Sequence, residues 1–144
     1  YIDTLSNAEI VAAVNVASNT ESASAGAAAL LHENPQINVL VGLNEWTTLG
    51  VGTAIQNLNL AEQVRGVGFD TNTVSVGMLE TGEMDALVVQ NPFAIGYLGV
   101  QNAAELAAGE GGEKADIYTS VTTVTKNNMF DSEVQKLLFE FYDD

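Results

Sequence analysis

The sequence predicts an α/β fold, a three-layer arrangement in which a mostly parallel sheet carries helices on both faces. Short apolar runs rich in β-branched residues alternate along the chain with longer segments of helical periodicity. The runs are apolar at almost every position, which is typical of strands that are covered on both faces. Because strand, helix and strand in succession form right-handed crossovers, the alternation favours parallel strands.

Five strands and five helices are predicted. The strands are the runs EIVAAVNV, INVLV, QVRGVGF, DALVV and IYTSVTTVT, which lie at 9–16, 37–41, 63–69, 85–89 and 117–125. The helices follow the strands at about 20–32, 45–58, 73–81, 93–108 and 131–142. Capping side chains at 19–22 and at Asp131 mark two helix starts, and Pro92 begins the fourth helix. Pro35 and Gly82 mark helix ends.

Composition limits the function classes. The 144 residues include 19 acidic and four basic side chains, and the net charge of -15 makes direct nucleic-acid binding improbable. The absence of cysteine excludes a thiolate nucleophile and a disulfide framework, and no apolar run is long enough to span a bilayer. The length suits one domain, so we expect 1–144 to form a single α/β unit. Because the chain opens at Tyr1 in an apparent helix without a cap, we expect a piece of a longer protein.

Polar side chains follow the predicted strands where each strand ends. These candidate ligand-binding residues are Ser18, Asn19, Asn44, Glu45, Asp70 and Gln90. Ligands of open parallel sheets bind beyond the carboxyl ends of the strands. Amides donate and accept hydrogen bonds and carboxylates accept them strongly, so the set suits the hydroxyls of a sugar or polyol. The alternative is that they are helix caps and turn residues, which suits Asn19 and Asp70 especially well.

The chain lacks the motifs of catalysis and cofactor binding. It has no nucleophile elbow, no glycine-rich phosphate or dinucleotide loop, no zinc-protease motif and no calcium loop. His32, the only histidine, lies near a predicted helix end, where a surface role is expected. The acidic cluster Glu80, Glu83 and Asp85 is expected in solvent, and Trp46 is expected to pack or to contact another lobe. No catalytic residue, metal ligand or cofactor is therefore predicted.

An ordered set of motifs covers nearly the whole chain. The motifs are LLHENPQI, NE, GFD, GEMDA, VQNP and VTTVTKN, at 30–37, 44–45, 68–70, 82–86, 89–92 and 121–127. The set is similar to ribose-type periplasmic binding proteins, the type I sugar receptors of ABC importers, whose lobes are Rossmann-like. The resemblance implies a two-lobed receptor whose hinge closes on a sugar or polyol-like ligand and presents the closed form to a permease. It also implies a location outside the cytoplasmic membrane, in the periplasm or as a tethered lipoprotein.

The resemblance implies a place in the receptor for each part of the chain. In ribose-type receptors the positions of Asn44, Asp70 and Gln90 hydrogen-bond the sugar. The chain would supply most of the second lobe, and the helix and loop at 91–112 would cross to the missing first lobe. Because that helix would lack its usual support, we expect its apolar face to repack, to pair with another copy through 92–108, or to aggregate.

Two departures from the family pattern bear on affinity. Ser18-Asn19-Thr20 stands where the family often has an aromatic residue, aspartate and arginine, and Glu45 stands where an aspartate follows the asparagine. A stacking ring and a guanidinium are thus missing, so the resemblance does not fix a pentose or hexose as the ligand. Because the first lobe has no counterpart here and half of the hydrogen-bonding shell is gone with it, we expect weak or absent ligand affinity for this chain alone. The effector-binding domain of a LacI-type transcriptional regulator is the alternative, since it shares the fold and the GFD step. A Rossmann-like enzyme is a third and weaker alternative.

Overall fold

The computed structural model describes residues 2–110 and 116–139, which form a mixed four-stranded sheet and five α-helices. A 3-10 turn at Ile2–Thr4 precedes these elements. The strands are Val39–Val41 (β1), Arg65–Phe69 (β2), Ala86–Gln90 (β3) and Val121–Val124 (β4). The helices are Thr20–Glu33 (α1), Glu45–Asn57 (α2), Thr73–Thr81 (α3), Pro92–Ala107 (α4) and Ser132–Leu138 (α5).

The strands lie in the order β1-β2-β3-β4. β1, β2 and β3 are parallel, with Val41 opposite Val67 and Gly68 opposite Leu87, whereas β4 runs antiparallel to β3. The predicted α/β fold with a mostly parallel sheet is confirmed, and four of the five predicted strands form. β1, β2 and β4 are shorter than the predicted runs, because only residues with a neighbouring strand can enter the ladder, whereas β3 has the predicted length and begins one residue later.

The predicted strand at 9–16 is wrong. Residues 8–17 have no regular secondary structure, and no backbone hydrogen bond involving residues 8–16 is found in the part of the chain that the structure describes. A β-carbon added at Gly26 of α1 would meet Val16 Cγ1 at 2.7 Å and Val14 Cγ2 at 3.8 Å, so these valines lie against α1. High β-propensity did not produce a strand because propensity cannot supply a hydrogen-bonding neighbour.

The core lies between one face of the sheet and helices α1, α2 and α3, and it also includes Val134 of α5. Leu40, Leu87 and Val124 are buried on that face, and Ile55 of α2 and Leu79 of α3 pack against them. The two crossovers from β1 to β3 advance in one direction across the sheet, so right-handed connections place α2 and α3 on the same face.

Two glycines allow close packing within this layer. A β-carbon at Gly50 of α2 would come within 2.7 Å of the Ala23 carbonyl carbon, so its absence lets α1 and α2 touch. A β-carbon at Gly68 of β2 would come within 2.8 Å of Thr48 Oγ1, so its absence lets the first turn of α2 rest on the strand. Any larger residue would push these elements apart.

The opposite face of the sheet is less covered. Val39 and Val41 of β1 are 47% and 54% exposed, and Val121 of β4 is 57% exposed. α4 has no buried residue, although it is largely apolar. The described part of the chain therefore buries one face of its sheet well and leaves apolar surface on the other.

One surface prediction is corrected by the structure. The acidic cluster after α3 was expected in solvent, but Glu83 is buried and accepts hydrogen bonds from Gln56 Nε2, at 3.2 Å, and from Thr81 Oγ1. Asp85 is half-buried, binds Arg65 at 2.9 Å and accepts the Gly66 N–H at 3.0 Å. A buried carboxylate is tolerated here because its oxygens have donors. Sequence clustering could not reveal that Gln56 of α2 would reach it.

Candidate functional site

Three helices begin at the carboxyl edge of the parallel strands, and each begins with an asparagine. Asn44, Asn72 and Asn91 are the N-caps of α2, α3 and α4, and their side-chain oxygens accept backbone N–H groups at 2.9, 2.9 and 2.8 Å. Because β1, β2 and β3 are parallel, these three N-termini meet at one edge of the sheet. Their partial positive charges favour hydrogen-bond acceptors there.

Asp70 directly follows β2, and Gln90 is the last residue of the neighbouring strand β3. A hydrogen bond joins their two side chains. Gln90 Nε2 donates to Asp70 Oδ1 at 2.8 Å, and both residues are half-buried. Asp70 has φ 63°, in the left-handed region that non-glycine residues seldom adopt, while its N–H still donates to Val88 O at 3.0 Å. The second Asp70 oxygen and the Gln90 carbonyl oxygen have no protein donor among the described residues, so both can accept from a ligand.

Thr48 fixes the end of β2 beside this pair. Its hydroxyl is fully buried, accepts the Phe69 N–H at 2.9 Å and donates to the Phe69 carbonyl at 3.0 Å. The first turn of α2 is thereby tied to the residue that precedes Asp70. The sequence analysis missed Thr48, because a threonine inside a helix shows no such role in the sequence.

Glu45 and Asn72 join the starts of α2 and α3. Asn72 Nδ2 donates to Glu45 Oε1 at 2.7 Å, while the Asn72 oxygen caps its own helix. Sequence analysis missed Asn72 as a site residue, although its spacing to Ser75 forms a capping box that the sequence could have revealed. The pair leaves one Glu45 oxygen for another donor.

Asn44 is both a cap and a candidate ligand residue. Its Oδ1 accepts from the backbone N–H and the hydroxyl of Thr47, each at 2.9 Å, in a complete capping box. Its Nδ2 makes no hydrogen bond to any residue that the structure describes, and the residue is exposed. The cap thus fixes the side chain and directs an unused amide donor toward solvent.

Ser18 and Asn19 make no hydrogen bond to this group among the described residues. The Asn19 side chain caps α1 by accepting the Ser22 N–H at 2.8 Å. Ser18 and Asn19 are both exposed. Among the described residues, no hydrogen bond links Ser18 or Asn19 to Asn44, Asp70 or Gln90. The cap alternative given for Asn19 is therefore confirmed, while a ligand role for either residue stays a prediction.

Two exposed aromatic residues lie near the starts of α2 and α4. Trp46, at the second position of α2, is 46% exposed, and Phe93, at the second position of α4, is 68% exposed. Phe93 stacks on Tyr97, with ring centroids 6.2 Å apart and planes 15° from parallel. These rings offer apolar faces close to a polar edge, an arrangement that suits a second surface closing over the site.

The charges of the edge favour a neutral polar ligand. The side chains at this edge are two carboxylates and several amides. Arg65 is the first residue of β2 and therefore lies at the opposite edge of the sheet. Lys126 donates to the Glu80 carbonyl at the carboxyl end of α3. In the described ranges no cluster of three or more metal-ligating His, Asp or Glu side chains is found, and no helix is long and apolar enough to cross a membrane. The edge can therefore accept and donate hydrogen bonds to hydroxyls, and hydrogen bonds show no described basic side chain at it that could pair with a phosphate or carboxylate.

Comparison with known proteins gives a consistent set of similarities. The model of the periplasmic binding protein domain matches residues 1–111. The D-ribose/D-allose-binding protein of Pseudomonas aeruginosa is 32% identical over 90 residues, which cover 62% of this chain and 28% of that protein. The D-allose-binding periplasmic protein of Escherichia coli is 35% identical over 72 residues, which cover 50% of this chain and 23% of that protein.

Solved structures match over more of the chain. An ABC transporter solute-binding protein from Agrobacterium vitis with bound D-fucose has a TM-score of 0.86 and 31% identity, covering 96% of this chain and 47% of that one. A carbohydrate transporter solute-binding protein from Agrobacterium radiobacter in complex with D-arabinose has a TM-score of 0.84 and 30% identity, covering 91% and 44%. The chain thus spans under half the length of the proteins it matches.

Proposed function

Because this chain belongs to the family of periplasmic binding protein domains, we propose that it forms most of the second lobe of a two-lobed solute-binding protein that binds a small sugar for an ABC importer. The observation that carries the proposal is the Asp70–Gln90 pair, held at the edge where three helix N-termini meet. The names of the matched relatives favour this transport role over the effector domain of a LacI-type regulator. Residues 91–112 would cross to the first lobe.

The proposed contacts follow from the unused hydrogen-bonding groups. Asp70 and Gln90 accept from sugar hydroxyls, and Asn44 donates through its Nδ2. Glu45 offers its second carboxylate oxygen, and Ser18 and Asn19 contribute from the start of α1. A hydrogen bond to a charged group contributes about 1.5 to 3 kcal/mol, so Asp70 is expected to carry the largest share.

Preorganisation is the proposed physical advantage of this arrangement. Gln90 is already held by Asp70, and Asn44 is already held by its cap, so little side-chain entropy remains to be lost when the ligand binds. The exposed rings of Trp46 and Phe93 would be covered as the lobes close about their hinge. Closure would exclude water and strengthen the hydrogen bonds to the sugar.

The proposed role is binding and not turnover. The edge has carboxylates and amides, but we assign to this chain no nucleophile, metal ligand or cofactor. We infer that the complete receptor acts outside the cytoplasmic membrane, either in a periplasm or tethered as a lipoprotein, where a permease would receive the closed form. Incubation of the purified chain with D-ribose, D-allose, D-arabinose and D-fucose should leave each sugar chemically unchanged, and appearance of a product would contradict the binding role.

The site is tested by titrating the isotope-labelled chain with the same four sugars and following its amide resonances. We expect weak, saturable shifts confined to residues 44–46, 69–72 and 90–91, with a Kd of about 1 mM or weaker, because half of the ligand's hydrogen-bonding shell is missing. Tight stoichiometric binding by calorimetry would contradict this division of the site between two lobes.

Matched variants separate the site from general folding. Asp70→Asn keeps the side-chain shape but removes the charge, and Gln90→Ala removes its partner; both should abolish most of the sugar-induced shifts. Thr73→Ala, at an exposed position just after the Asn72 cap, should leave them unchanged. Equal shifts in all three variants, or shifts spread evenly over the chain, would exclude this edge as the binding site.

A further inference from the structure

The hydrogen bond between Glu45 and Asn72 links the two chain segments that carry Asn44 and Asp70. Glu45 directly follows Asn44 and is the first residue of α2. Asn72 stands two residues after Asp70 and caps α3. The bonded residues are 27 positions apart along the chain, and both are half-buried. The bond therefore spans the edge of the sheet, from the segment after β1 to the segment after β2.

The Asn72 side chain is held by the start of its own helix. Its Oδ1 accepts the Ser75 N–H and its backbone N–H donates to the Ser75 hydroxyl, each at 2.9 Å. Ser75 is 1% exposed, and its hydroxyl donates to the Asn72 carbonyl at 3.0 Å. Because this capping box fixes the asparagine, its Nδ2 is directed at Glu45 before any ligand binds. A glutamate side chain has several rotatable bonds, so the asparagine restrains the more mobile partner.

Asn72 differs from the other two asparagine caps at this edge. The Nδ2 groups of Asn44 and Asn91 make no hydrogen bond to any residue that the structure describes, whereas the Nδ2 group of Asn72 donates to the neighbouring helix. Capping needs only the side-chain oxygen. The amide proton of Asn72 is therefore not required for the start of α3, and its effect falls on Glu45 at the start of α2.

We propose that Asn72 is a positioning residue for the proposed sugar-binding edge, which orients the Glu45 carboxylate and fixes the separation of Asn44 and Asp70. This inference rests on the proposed function, because it concerns how the same edge is assembled. Asn72 occupies one Glu45 oxygen, so the other oxygen is presented to a sugar hydroxyl in one orientation. The turn that carries Asp70, at φ 63°, is tied to α2 by the same bond. A ligand then meets side chains that are already placed, and less side-chain entropy is lost on binding.

An exchange of donor and acceptor tests this role without removing the cap. Asn72→Asp keeps an oxygen for the Ser75 N–H but replaces the donated amide by a carboxylate that faces Glu45, so the bond is lost. Adding Glu45→Gln restores a bond of opposite direction, because the introduced amide donates to the introduced carboxylate. We expect Asn72→Asp to raise the Kd for sugar by about tenfold in the parent chain, and by less than about twofold where Glu45→Gln is already present.

Affinity and stability are measured on the same set of chains. The Kd comes from amide shifts during titration with D-ribose, D-allose, D-arabinose and D-fucose, and stability comes from urea unfolding. Thr73→Asp places the same charge at the next, exposed position and should raise the Kd by less than about twofold. Equal losses of affinity with and without Glu45→Gln, or a loss that only follows a lower unfolding midpoint, would overturn the positioning role.

Spectra recorded without ligand separate this inference from the proposed function. Asn72→Asp should move the amide resonances of residues 44–46 as well as those of its neighbours at 71–75. Where Glu45→Gln is already present, the same change should move only the resonances at 71–75. This pattern would support the positioning role even if none of the four sugars shifted the parent chain, a result that counts against the proposed function alone. Movement confined to 71–75 in both cases, or equal movement of 44–46 in both, would overturn the positioning of Asn44 through Asn72.

Discussion

α2 and α4 are similar helices, but α2 is packed in the core and α4 is uncovered. Each contains a single charged residue, Glu45 in α2 and Glu105 in α4, and each follows a parallel strand through an asparagine cap. Yet α2 buries six residues between α1 and the sheet, whereas α4 buries none. Apolar composition therefore indicates which helix residues are suited to burial. Whether they are buried depends on a complementary surface elsewhere in the tertiary structure.

The comparison extends to the two apolar segments of strand composition. INVLV at 37–41 yields β1 because β2 lies beside it, while EIVAAVNV at 9–16 stays irregular because no strand in the described part of the chain pairs with it. The well-packed half of the molecule, around α2, β2 and β3, therefore supplies the stability. The uncovered part, comprising α4 and residues 9–16, leaves apolar side chains exposed.

The largest loss of stability is expected when a core side chain is removed from the well-packed half of the molecule. Leu87→Ala removes a fully buried side chain of β3 and should lower the free energy of unfolding by about 3 kcal/mol. Val100→Ala removes an apolar side chain of α4 that is 73% exposed and should change it by less than about 0.5 kcal/mol. Urea unfolding followed by circular dichroism measures both, and similar costs at the two positions would show that α4 is buried in solution.

A smaller effect is expected at the polar contact that joins α2 to β2. Thr48→Val keeps the side-chain shape but leaves the Phe69 N–H and carbonyl without their partner, which should cost about 1 to 3 kcal/mol. Thr53→Val, on the same helix, is the matched control, because the Thr53 side chain makes no hydrogen bond to any described residue and little loss is expected. If the two variants unfold at the same urea concentration, Thr48 does not fix the end of β2.

The smallest effect on stability is expected in α4. Replacing Phe93 and Tyr97 together by serine should leave the free energy of unfolding within about 0.5 kcal/mol of the parent, because both rings are exposed. The same change should reduce binding of a hydrophobic dye and any association through the helix at 92–108. Unchanged dye fluorescence would indicate that another surface, such as the open face of β1, accounts for the exposed apolar area.

The site illustrates how far sequence reasoning reaches. The ends of apolar runs correctly located Asn44, Asp70 and Gln90 at one edge of the sheet, because the carboxyl ends of parallel strands must lie together. The bond between Asp70 and Gln90 could not be predicted, since it depends on strand order and on the left-handed backbone at Asp70. Asn72 and Thr48 were missed for a related reason, because their partners lie 27 and 21 positions away along the chain.

By itself the sequence determined the α/β class, the positions of four strands and of the helices that follow them, and the polar residues at the strand ends. Local periodicity and capping chemistry suffice for these features, because they involve residues that are neighbours along the chain. Only the tertiary structure decided that Glu83 is buried, that 9–16 pairs with no described strand and that α4 is uncovered. Burial and strand pairing are relations between distant segments, so the same apolar sequence can end in a core or on a surface.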